Sequence, residues 1–117
     1  MLHQDWMGLA LKQAQLAFEQ GEVPIGAILV RDGQLIAAAH NEKEQRKDPT
    51  AHAEILVIQR AAEAIGSWRL TGADLYVTLE PCPMCAGAIL QSRVQKLIYG
   101  ASDLKGGATG SVMNVLD

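Results

Sequence analysis

Aromatic residues are scarce in this chain: two tryptophans, two tyrosines and one phenylalanine among 117 residues. So thin a supply excludes a broad base-stacking platform. Cysteine is scarcer still, at two residues, which argues against a disulfide framework and for a metal or redox role. Positive charge is not in excess. The 10 basic and 13 acidic residues leave a formal charge of −3, which gives no support for nonspecific binding to nucleic acid. A small RNA site needs only a local patch and stays open. Long hydrophobic runs are missing too. The longest apolar stretch, Val23 to Val30, contains Pro24 and Gly26 and is no membrane-spanning helix. The start, Met1-Leu2-His3-Gln4-Asp5, has no basic segment followed by an apolar one, so no secretory signal is visible and the expected location is the cytoplasm. There is no internal repeat and no low-complexity tract.

What is present is ordinary globular composition, 49% hydrophobic and 20% charged. The length suits one domain, 1–117, able to bury roughly 65% of its unfolded surface. Trp6, Leu9, Ala10, Ala14, Ala17 and Phe18 recur at helical spacing, so Asp5 to Gln20 reads as a helix stopped by Gly21. Ile25 to Val30 reads as a buried strand. Asp32-Gly33 is a two-residue hairpin signal, with Gln34 to His40 as the returning antiparallel strand. Asn41 to Thr50 is polar and charged and reads as a loop. A helix follows from Ala51 to about Ile65, closed by Gly66. Leu75 to Leu79 gives a third strand, Pro83 to about Gln91 a short helix, and Val94 to Gly100 a fourth strand. Strands three and four flank a helix and should be parallel with a right-handed crossover. The expected fold is a three-layer α/β/α domain with a mixed sheet. After Ser102 the chain is glycine-rich, and an apolar segment runs from Val112 to Leu116.

Two motifs carry chemistry. His52-Ala53-Glu54 and Pro81-Cys82-Pro83-Met84-Cys85 together have the H-x-E…P-C-x-x-C form of zinc deaminases. Cys82 and Cys85 are three apart at a helix start, so both sulfurs can share one face. The helix N-terminus favours the thiolate, which is the form that binds metal. His52 supplies a third ligand through a neutral ring nitrogen, leaving one tetrahedral position open for water. A closed structural site would need a fourth ligand. No further Cys exists, and His3 and His40 lie in no ligand-spaced cluster. Zinc lowers the pKa of bound water to about 7, and Glu54 is the candidate for moving protons from that water to a leaving amine. His52 and Glu54 are two apart, roughly 200° around an ideal helix, and converge only if the helix points its N-terminus at the metal. Taken singly, the motifs have plainer readings. C-x-x-C alone suits a thioredoxin-like redox pair, and a lone His is more often a core residue. The joint pattern, each motif at a helix start, is specific.

These residues and their surroundings resemble the bacterial tRNA-specific adenosine deaminases, within the zinc-dependent cytidine deaminase superfamily. The likeness runs through Glu22-Val23-Pro24-Ile25-Gly26-Ala27, Asp48-Pro49-Thr50-Ala51-His52-Ala53-Glu54 and Leu75-Tyr76-Val77-Thr78-Leu79-Glu80-Pro81-Cys82, and on through Gly100-Ala101-Ser102-Asp103 to Gly110-Ser111. The resemblance implies a cytidine-deaminase-like fold and deamination of adenosine to inosine at wobble position 34 of a tRNA anticodon. It implies one Zn2+ per chain held by His52, Cys82 and Cys85, with Glu54 catalytic. It places Asn41, Ala53 and Asp103 at the substrate, and it implies a homodimer. DNA and membranes are not expected partners. Family members continue past Asp117 with a further strand and a C-terminal helix, so this chain is expected to lack both and to leave strand four at a sheet edge.

Other readings carry their own residues. Asn41 is equally a turn residue after a strand, and Asp103 a turn Asp after strand four. Arg46, Lys47 and Lys105 are solvated charges or phosphate contacts. A deaminase of free bases or nucleosides, such as guanine or cytosine, would share the zinc chemistry. A noncatalytic zinc scaffold would have no use for Glu54.

Overall fold

In a computed structural model that describes residues 1–103 and 105–108, the first helical run becomes α1 (His3–Glu19), with Trp6, Ala10, Ala14 and Ala17 on its buried stripe. β1 (Gly26–Arg31) and β2 (Gln34–His40) follow as an antiparallel hairpin. Asp32 and Gly33 at its turn both have positive φ, 53° and 72°, as a type I′ turn requires.

The stretch from Asn41 to Thr50, expected to be a loop, contains a four-residue helix, α2 (Lys43–Arg46), closed by Lys47 in the left-handed region. A single turn is too short to leave a periodic signature. Its stabilising partner lies outside it: the buried Glu22 carboxylate accepts the backbone N–H of Glu44 and Gln45. Next comes α3 (Ala53–Ile65), which starts two residues later than expected because His52 is extended and serves as its N-cap. Gly66, at φ 80°, ends it. β3 (Ala73–Leu79), α4 (Pro83–Ser92) and β4 (Lys96–Ala101) complete the described elements.

The sheet order is β2-β1-β3-β4, with β1 antiparallel to β2 and β3, and β3 parallel to β4. The expected mixed sheet is therefore present, with β4 at one edge among the described residues. Alternation along β1 divides the core. Ile28 and Val30 face α1 with Tyr76, Trp6 and Ala10. Ala27 and Leu29 face the other side with Val77 and the α3 residues Leu56, Val57 and Ala61. Two helical layers thus sandwich the sheet. Gly26 sets how closely α1 approaches. A Cβ there would stand 2.1 Å from the Ala10 carbonyl oxygen, so no larger residue fits without moving the helix.

Strand register gathers one rim. Gly26 pairs with His40, Ala27 with Val77, and Leu79 with Ala101. The start of β1 and the ends of β2, β3 and β4 therefore lie together, and the segments after β2, β3 and β4 all leave from that rim. This is where an open α/β sheet places its ligand crevice. No helix among the described residues is long and apolar enough to cross a membrane. Gly110-Ser111 and the apolar segment Val112 to Leu116 lie outside the described residues.

Candidate active site

Both motifs reach the rim at helix starts. His52 is the N-cap of α3 and Cys82 the N-cap of α4, with Pro83 in the first helical position where its missing N–H is harmless. His52 Nδ1 lies 3.7 Å from Cys82 Sγ and 3.4 Å from Cys85 Sγ. The three ligand atoms all fall within 4.8 Å of one another, a group that could hold a metal ion. His3 and His40 stay away from it. His3 Nδ1 meets the Tyr76 hydroxyl, and His40 lies between the side-chain oxygens of Gln13 and Gln20. The cluster is therefore three-membered among the described residues.

The electrostatics suit a cation. The Cys82 thiol is pulled down to about 5, first by a hydrogen bond from the Cys85 thiol and further by backbone N–H groups at the start of α4. Cys85 is pushed up, because it donates to Cys82 and is buried. A thiolate is thus favoured at Cys82, and a metal dication could displace the thiol proton of Cys85.

Glu54, in the first turn of α3, is 3% exposed, and burial pushes its carboxyl up to about 7. Its Oε1 is buried with no hydrogen-bond partner among the described residues. A buried orphan oxygen beside two sulfurs marks a place for a proton-bearing group from outside the chain, water or substrate. The convergence demanded by the His-x-Glu spacing is met because α3 presents its N-terminus to the cluster.

The residues expected at the substrate fare unequally. Asn41 is buried at the end of β2, and its Oδ1 accepts the Ala53 N–H at 2.8 Å. It is thus a turn residue that ties β2 to the start of α3, with its amide N–H2 as the remaining donor group. Ala53 adjoins it but is fully buried, and its N–H is committed to Asn41. Asp103 follows β4, and its Oδ1 accepts the N–H groups of Lys105 and Gly106, which builds a tight turn. Arg46 pairs with Glu42, and Glu42 also meets Arg60.

Two residues escaped the sequence reading. Glu80, 2% exposed, accepts the Asp103 N–H and holds the turn after β4 beside Pro81. Glu22 braces α2 as described above. Their signals are slight, a carboxylate just after a strand for Glu80 and one just after a helix for Glu22, and neither reveals which backbone it will meet.

Comparisons with known proteins agree with this geometry. A family model described as MafB19-like deaminase matches residues 1–117. A tRNA-specific adenosine deaminase of Bacillus subtilis is 59% identical over 111 residues, covering 95% of this chain and 69% of the relative. A structure from a study of A-to-I editing by deaminases at the wobble position of transfer RNA superposes with a TM-score of 0.91 at 57% identity, covering 93% of this chain and 79% of that one. A guanine deaminase from Bacillus subtilis gives 0.85 at 30% identity, covering 100% of this chain and 85% of that one.

Proposed function

Because this chain belongs to the MafB19-like deaminase family, alongside the tRNA-specific adenosine deaminases that are its relatives, we propose that it converts adenosine to inosine at wobble position 34 of a tRNA anticodon by hydrolysis. The balance is adenosine plus water giving inosine plus ammonia. The carrying observation is the convergence of His52, Cys82 and Cys85 beside a buried Glu54 with an unpartnered oxygen. A deaminase of free guanine or cytosine is the weaker reading. The guanine deaminase is 30% identical, against 59% for the tRNA enzyme.

Zinc fits the donor set. Ligand distances of about 2.1 Å to nitrogen and about 2.3 Å to sulfur set a tetrahedral N···S separation of about 3.6 Å. The cluster has 3.4 and 3.7 Å. One zinc per chain would be held by His52, Cys82 and Cys85. When bound, it supplies Lewis-acid activation of water at neutral pH. Glu54 takes a proton from the attacking water as its oxygen adds to C6 of the base, passes a proton to ring N1, and carries another to the departing amino group. Asn41 donates from its amide nitrogen to an acceptor on the inserted base, held in place by the Ala53 N–H on its oxygen. Asp103 shapes the opposite wall through its turn, and Ala53 contributes by fixing Asn41. The reading takes 1–117 as one deaminase domain working in the cytoplasm.

The active form is a homodimer. What supports it is the apolar groove between α3 and α4, lined by Ile58, Ala62, Ala88 and Trp68. Trp68 is 56% exposed, and an apolar patch of this kind favours cover by a second copy.

Metal analysis joined to turnover tests the site. Wild type carries one zinc per chain. Cys82→Ser loses zinc and activity together, whereas Glu54→Gln keeps zinc and loses turnover. Zinc retained by Cys82→Ser, or near-normal turnover by Glu54→Gln, contradicts the assignment.

A further inference from the structure

Glu22 lies twenty-two residues upstream of Glu44 in sequence and takes no part in the metal cluster, yet it is 5% exposed. A buried carboxylate needs compensation. Here it comes from backbone: Oε1 accepts the Glu44 N–H at 3.0 Å and Oε2 the Gln45 N–H at 2.9 Å. Glu22 is itself fixed, because its own N–H donates to the Ala17 carbonyl at the end of α1. The segment it grips joins Asn41, at the end of β2, to the residues just before the ligand His52. Glu42, just before α2, donates its N–H to Ala51 O, beside the ligand His52. Asn41, one residue earlier, donates its N–H to Ile25 O and accepts from Ala53. Besides Asn41, two further side-chain links among the described residues tie this segment to the body: Arg60 reaches Glu42 and the Ala38 carbonyl, and the Gln45 amide donates to Gln20 Oε1 at the end of α1.

We infer that Glu22 is a positioning residue for base recognition, holding α2 against the end of α1 so that Asn41 keeps its aim. The inference rests on the deaminase reading for its substrate. The anchor itself rests on the two carboxylate bonds, beside a Gln45–Gln20 side-chain bond that a change at Glu22 does not remove. Because α3 and α4 carry the metal ligands without help from α2, loosening the anchor changes base binding and leaves metal binding intact.

The deciding variant is Glu22→Gln, which keeps size and burial. One oxygen still accepts, but an N–H2 group now faces the other backbone donor. In the zinc-loaded protein, Glu22→Gln is expected to keep its zinc. Amide exchange at Glu44 and Gln45 accelerates at least roughly tenfold, while Leu56 in α3 exchanges as in wild type. With an anticodon stem-loop bearing a wobble adenosine, KM rises roughly tenfold and kcat stays within about twofold. In an Asn41→Ala background, Glu22→Gln adds no further increase in KM, since the group it aims is gone. Glu22→Asp, charged but one carbon shorter, gives a smaller effect of the same kind and replaces Glu22→Gln if that variant does not fold. Unchanged exchange at Glu44 and Gln45 overturns the anchor. An unchanged KM, or an effect additive with Asn41→Ala, overturns the positioning role and leaves Glu22 merely structural. If wild type makes no inosine, the deaminase reading fails, while the exchange data still decide the anchor.

Discussion

A glutamate buried beside two sulfurs, with one oxygen lacking a partner, is costly to fold and needs a use. The use proposed for it is proton transfer. General acid–base catalysis contributes typically about 10²–10⁴-fold, so Glu54→Gln should lower kcat by that order without changing zinc content. Glutamine preserves shape and removes only the proton traffic, which makes it a cleaner variant than alanine. At this scale the sequence was most legible. His52, Glu54, Cys82 and Cys85 announced themselves because metal chemistry restricts both residue type and spacing, and the structure brings them together. Asn41 and Asp103 were legible as positions and ambiguous as roles. The carboxylate of Asp103 and the oxygen of Asn41 turn out to bind backbone, which only the folded loop reveals. Glu22 and Glu80 were silent, because their partners lie more than twenty residues away along the chain.

Elements were legible in proportion to their length and periodicity. β2 was bounded as expected, and the hairpin turn followed from Asp32-Gly33, a pair that accepts positive φ. α2 was missed because one helical turn held by a distant carboxylate has no local signature. The start of α3 was displaced because His52 caps the helix instead of joining it. The contact of α1 with the sheet turns on Gly26. Its missing side chain lets the Ala10 carbonyl and the Ala14 N–H lie where a Cβ would otherwise be, 2.1 and 2.5 Å away. Backbone of a long helix cannot give locally, so Gly26→Ala must push α1 outward and open the contact of Trp6 with Ile28 and Tyr76. The expected loss is about 1–3 kcal/mol, read as a lower midpoint in urea unfolding with little change in slope. A midpoint equal to wild type would contradict the packing described.

For the molecule as a whole, the rim is the organising feature. The register of four strands puts Asn41, Glu80 and Asp103 at one end of the sheet, with two helix N-termini bringing His52 and Cys82 to the same place. The proposed dimer would use the α3–α4 groove beside Trp68. Equilibrium sedimentation of the zinc-loaded chain should give the mass of two chains, and Trp68→Glu should give one. A wild-type monomer that is fully active would contradict the dimer. The fold class was legible because hairpin, crossover and helix order leave few topologies. The homodimer was expected from the resemblance alone, and the sequence offered no sign that Trp68 would be exposed. The most direct test of the account is inosine formation. The zinc-loaded chain is incubated with an anticodon stem-loop carrying a wobble adenosine, beside free guanine, cytosine and adenosine. The account predicts inosine in the stem-loop and no turnover of the free compounds. Turnover of a free base with an untouched stem-loop would contradict it.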